Sequence, residues 1–149
     1  MPTDISTRPW AIYILVLEKS DCRPKLSVGS GTDRFSGVAK RWASYDKGMA
    51  LPSGLKEFLP QGWKVTHRGL IAWCQRPSYQ DIGSVRFFFL LLETLFGGLL
   101  YAMKSTTVDY GFPSLCPWRL EDLPYDGLCS HAAMFERILP ARSLQKPKP

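Results

Sequence analysis

The stretch from Val85 to Met103, VRFFFLLLETLFGGLLYAM, constrains the chain most, because it is almost unbroken apolar sequence around one acid, Glu93. The run from Phe87 to Met103 approaches the roughly 20 residues that span a bilayer. Glu93 falls near its centre, where a carboxylate costs about 2.5 to 3.5 kcal/mol to insert, and Thr94, Gly97 and Gly98 weaken the segment further. The sequence therefore favours a buried helix that carries one carboxylate into the protein, with a small membrane-associated protein anchored by residues 85–103 as the alternative. On this helix Arg86, Leu90, Glu93, Gly97 and Leu100 share one face. A carboxylate there needs a partner, either an arginine that fixes packing or a cation that makes a site.

A chain of 149 residues that is 45% hydrophobic and 13% aromatic suits one domain with a real core. Its net charge of +6 fits a polyanionic partner such as nucleic acid. The start, MPTDISTRPW, has no signal-peptide core, and Cys22, Cys74, Cys116 and Cys129 lie far apart. The expectation is an intracellular protein, nuclear or cytoplasmic, with reduced thiols. Cys116, Cys129 and His131 sketch a metal site but lack the paired spacing of zinc sites.

Ala11 to Leu17, AIYILVL, reads as a central strand buried on both faces. Leu26 to Gly29 forms a second strand after a long hairpin connection, and Ser30 to Asp33 ends it. A helix follows through Val38 to Tyr45, with Val38, Trp42 and Tyr45 on its apolar side and Thr32, Asp33 or Ser36 as N-cap. A short helix over Pro52 to Leu59 leads to a third strand over Trp63 to Cys74, with a bulge expected at Gly69. Arg76 to Asp81 turns into the long helix. Ser105 to Ser130 is expected to wrap the domain, His131 to Leu139 to form a last helix, and the basic ARSLQKPKP end to be mobile.

Arg41 and Tyr45, four apart on the first helix, present a guanidinium and a phenol together, a pair that can bind a phosphate or simply cover each other. Tyr13, inside an apolar strand, is either a core residue or a phenol offered to a substrate. Lone histidines such as His67 on a strand are more often structural.

The run Ala11-Ile12-Tyr13, then Ser27-Val28-Gly29-Ser30, then Lys40-Arg41-Trp42 with Tyr45, then Glu93 on a later helix, resembles the GIY-YIG nuclease domain over about residues 10–105. The hairpin loop and the EDLPYDGLCSH segment look most like fungal members of that superfamily. The resemblance implies an α/β (α+β) fold with a small three-stranded, mainly antiparallel sheet flanked by helices, an extension over 106–140 and a tail over 141–149. It implies an endonuclease that hydrolyses DNA phosphodiester bonds with one divalent ion, Mg2+ or Mn2+, on Glu93, and no small-molecule cofactor. Arg41 would hold the scissile phosphate, Tyr13 would orient or deprotonate the attacking water and Tyr45 would assist. Ser27, Gly29, Ser30, Lys40 and His67 are the expected substrate-binding residues. Ala11 replaces the motif glycine, Ser27 the second motif tyrosine, and the chain contains no asparagine, leaving Asp109 as the nearest substitute for the family's late one. A catalytically inactive nucleic-acid-binding protein of the same fold is the alternative.

Overall fold

A computed structural model describes residues 5–104 and 115–130. Strands β1 (Trp10–Glu18), β2 (Lys25–Gly31), β3 (Lys64–Cys74) and β4 (Asp126–Gly127) form one mixed sheet in the order β3-β1-β2-β4. The first three are antiparallel neighbours, whereas β4 runs parallel to β2. Four strands replace the three expected, because Asp126-Gly127 carries no strand pattern and becomes one only by pairing with Lys25 and Leu26.

The central position of β1 follows from its unbroken apolar sequence. Ala11, Tyr13, Leu15 and Leu17 face helices α1 (Val38–Asp46) and α2 (Ser53–Phe58), packing with Val38, Trp42, Tyr45 and Leu55. Trp10 and Ile12, with Ile14 and Val16, face helix α3 (Ile82–Leu99) through Phe89. Each such aliphatic side chain, fully buried, stabilises the fold by about 1.5–3 kcal/mol over its exposed state. The sheet is thus covered on both faces.

Local details differ from expectation for identifiable reasons. β2 continues through Ser30 to Gly31, because a Cβ at Gly31 would lie 2.4 Å from the Val38 Cα, and glycine alone lets the strand run against the start of α1. α1 has no side-chain cap; its N-cap is Gly37, at φ 54°, and the Pro9 carbonyl accepts the Val38 N–H. Asp33 instead accepts the N–H groups of Phe35 and Ser36. The register of β3 slips opposite Ile12/Tyr13 and Val16/Leu17, and Gly69 pairs regularly with Ile14, so the expected bulge at Gly69 is absent.

The largest correction concerns α3. Only Phe89, Gly97 and Gly98 are buried, while Phe87, Phe88, Leu91 and Leu95 are exposed. The helix is not sunk in the core, because a sheet with three long strands covers one side of it and leaves an apolar stripe outward. The last helix, the tail and Asp109 lie outside the described residues, as does the stretch 105–114 of the expected wrapping segment.

Candidate functional site at the open edge of strand β2

An antiparallel ladder directs alternate residues outward, so Leu26, Val28 and Ser30 turn their amide and carbonyl groups away from β1. Three different partners meet them. The Leu26 carbonyl accepts the Leu128 N–H at 2.9 Å. Val28 donates to the Cys129 Sγ at 3.3 Å, and the thiol donates back to the Val28 carbonyl at 3.4 Å. Beyond Cys129 the edge opens at Ser30 into a cavity of about 730 Å3, within the range of small-molecule sites.

α1 forms one wall of this cavity with Lys40, Arg41, Ser44 and Tyr45, and α3 the other with Arg86, Leu90 and Glu93. The floor is Ser27 to Gly31 together with Tyr13. The expected residues Tyr13, Ser27, Gly29, Ser30, Lys40, Arg41, Tyr45 and Glu93 therefore converge on one concave surface. His67 does not. It lies exposed on β3, at the opposite edge of the sheet, with its Nδ1 3.0 Å from the Thr66 hydroxyl, so the structure does not bring it to the cavity with the other expected residues. Strand order puts β3 at the edge away from β2, whose open side lines the cavity.

Two phenols meet where the floor joins the α1 wall. Tyr13 Oη and Tyr45 Oη are 2.6 Å apart in a buried hydrogen bond, and the Tyr13 ring stands edge-on to Trp42. Gly29 makes this possible: a Cβ there would lie 2.6 Å from Tyr13 Oη and 2.7 Å from Cζ. Burial pushes the Tyr13 phenol well above its ordinary value, aided by Tyr45 and, more weakly, by the Glu93 charge, against the opposing effect of Arg41. Tyr45 is raised as well, first by burial and also by Glu93, although Arg41 and the bond to Tyr13 pull the other way. Both phenols are therefore protonated at neutral pH. They can orient a ligand or a water; as a base, Tyr13 is disfavoured.

Three basic and two acidic side chains line the cavity: Lys40, Arg41 and Arg86 against Asp33 and Glu93. Lys40 is engaged by Asp33 at 2.7 Å, and this bond is the main reason that the Asp33 carboxyl lies below its ordinary range. Arg86 donates to the Thr32 carbonyl at 2.9 Å and lies over the Trp10 ring, with its Nε buried and lacking a hydrogen-bond partner. Arg41 is exposed at the rim and has no ion-pair partner among the described residues. An anion entering the cavity therefore meets an uncommitted guanidinium opposite a carboxylate.

In the sequence Cys129 reads only as a reduced thiol or a member of a sketched metal site. Its Sγ sits 3.6 Å from the Ser27 Oγ, in the region that a tyrosine at position 27 would enter. Burial raises this thiol, and hydrogen bonds from Val28 and Ser27 partly offset that effect. Arg86 shared the Glu93 helix face in the sequence, but its place in the cavity wall needed the packing of α3 across β2. Ser53 and Ser130, whose hydroxyls are 2.7 Å apart, close one end. Residues 77 positions apart leave no local signal of such a contact.

Among the described residues no three His, Cys, Asp or Glu side chains cluster closely enough to hold a metal ion between them. An all-protein cage of zinc or calcium type is thus not formed there. Glu93, in an open, polar cavity, instead offers the kind of donor with which Mg2+ is commonly held, one or two carboxylates plus waters and substrate phosphate oxygens. No family model, curated protein or solved structure matches the chain.

Proposed function

We propose that the chain is a divalent-metal-dependent endonuclease of GIY-YIG type that hydrolyses DNA phosphodiester bonds in the cavity at the open edge of β2. The observation that carries this reading is the convergence of Tyr13, Arg41, Tyr45 and Glu93, from three elements, on one concave surface. Glu93 is the residue that would hold Mg2+ or Mn2+, which when bound supplies positive charge to the phosphate and the leaving oxygen. Arg41 binds the non-bridging oxygens of the scissile phosphate with its planar fork of donors. Tyr13, fixed by Tyr45 and Gly29, uses its protonated hydroxyl to orient the attacking water. Water adds to phosphorus as one P–O bond breaks, and the proton that water loses leaves through solvent at the open mouth. The +6 net charge adds salt-sensitive, sequence-independent attraction to the DNA backbone.

Nicking of supercoiled plasmid tests this. The wild type is expected to nick in Mg2+ or Mn2+ and to stop in chelator. Arg41→Ala and Glu93→Gln should each lower the rate by roughly 10²-fold or more, the scale of a lost transition-state contact. Salt-dependent DNA binding with no nicking in any divalent ion would instead identify a catalytically inactive binding protein.

A second reading rests on α3, which by length and composition alone is long and apolar enough to cross a membrane, with mean hydropathy 1.6 and only 17% of it buried. A membrane-associated protein would use the stripe of Phe87, Phe88, Leu91 and Leu95. Recovery of the protein in the membrane pellet, released only by detergent, would favour it.

A further inference from the structure

The loop between β2 and α1 joins the cavity to a second surface. Arg86 holds its Thr32 carbonyl, Lys40 holds its Asp33 carboxylate, and the next two residues, Arg34 and Phe35, point outward. The Arg34 guanidinium lies 5.3 Å from the Phe35 ring centroid and 4.8 Å from that of Tyr79, which comes from the turn before α3. Arg76, from the same turn, donates to the Phe35 carbonyl at 3.0 Å and ties the two segments together. Phe35 is 66% exposed and Tyr79 is 74% exposed, so most of each ring faces solvent although neither segment hangs free. The result is two exposed aromatic rings and two arginines on segments that adjoin the lining residues Asp33 and Gly37 of a cavity that already carries an excess of basic groups.

Large rings held in water with guanidinium groups between them match the chemistry of an unpaired nucleic-acid strand. Each base offers a π-face for stacking, and the adjoining phosphates offer negative charge. A blunt duplex hides its base faces and gains only the arginines. We propose that Arg34, Phe35, Arg76 and Tyr79 form a stacking platform for unpaired bases next to the scissile phosphate, so that the preferred substrate carries a single-stranded stretch beside the cleavage point. This assignment deepens the nuclease reading and rests on it.

The test measures fluorescence anisotropy of the full chain, in EDTA, with a labelled single-stranded oligonucleotide and with the blunt duplex of the same sequence. The wild type is expected to favour the single strand. Phe35→Leu/Tyr79→Leu, which keeps apolar bulk but removes both π-faces, should weaken single-strand binding by at least ~5-fold and duplex binding by less than about twofold. Tyr79→Trp should retain single-strand affinity, and Arg34→Ala should flatten the log Kd against log salt slope by about 0.7. Because both rings are exposed, the thermal midpoint should stay at the wild-type value and report intact folding. Unchanged single-strand affinity in the leucine variant, or equal loss for both ligands, overturns the platform; wild-type plasmid nicking in Mg2+ then judges the nuclease reading separately. A wild type that binds neither oligonucleotide likewise overturns the platform.

Discussion

Gly29→Ala tests the construction of the site more directly than removal of any polar group, since it adds one methyl and takes no functional atom away. The new Cβ would meet Tyr13 Oη at 2.6 Å, Cζ at 2.7 Å and Cε2 at 3.1 Å. Ordinary carbon contacts begin near 3.4 Å, so the ring must retreat by ~0.8 Å. It has little room: Tyr13 is 3% exposed and is packed against Trp42 and Tyr45. Overpacking of this kind costs about 1–3 kcal/mol, and losing the Tyr13–Tyr45 hydrogen bond a further ~1 kcal/mol. A total of about 2–4 kcal/mol corresponds to a fall in Tm of roughly 4–16 °C for a domain of this size. Urea denaturation should show a lower midpoint at unchanged m-value. In a double-mutant cycle with Tyr13→Phe, which has already lost the bond, the cost of Gly29→Ala should drop by ~1 kcal/mol. Nicking, measured well below the new Tm, should fall by up to about 10²-fold, because displacements near 1 Å from the productive geometry have effects of that order. Loss of less than ~0.5 kcal/mol, or strict additivity with Tyr13→Phe, would refute the argument that Gly29 exists to let the phenols meet.

Two further outcomes follow from the same geometry. Ser27→Tyr, which supplies the tyrosine that the proposed nuclease reading leads one to expect there, should destabilise the fold because Ser27 is buried against Cys129; Ser27→Tyr/Cys129→Ala should recover part of the stability and gain nicking over Cys129→Ala alone. Equal rates in the two Cys129→Ala backgrounds would show that the lost phenol does not limit the site. The raised phenols also fix a pH dependence: Tyr13 and Tyr45 hold their protons more tightly folded than unfolded, so stability is complete below the ordinary tyrosine value near 10 and is lost as pH rises above it. Each phenol contributes a slope of up to ~1.4 kcal/mol per pH unit, and Tyr13→Phe should flatten the fall of Tm with pH. Parallel falls in both proteins would show that Tyr13 titrates alike folded and unfolded.

What the sequence alone determined was local and periodic. The apolar run of AIYILVL made β1 the central strand, the spacing of Val38, Trp42 and Tyr45 marked the buried side of α1, and Pro77 set the turn before α3. The short motifs around Tyr13, Gly29, Arg41 and Glu93 hold residues that meet in one cavity, whose other lining residues carry no such motif. Only tertiary structure decided which residues share a surface. β4 and the Cys129 cap arise from pairing across about 100 residues, and no local pattern encodes such a contact. His67 stands on a strand no less plausible than that of Ser27, yet strand order sends one to the far edge and the other to the cavity. The apolar face of α3 is left in the open for the same kind of reason: hydropathy records how greasy a helix is, while the width of the sheet beneath determines how much of it is covered.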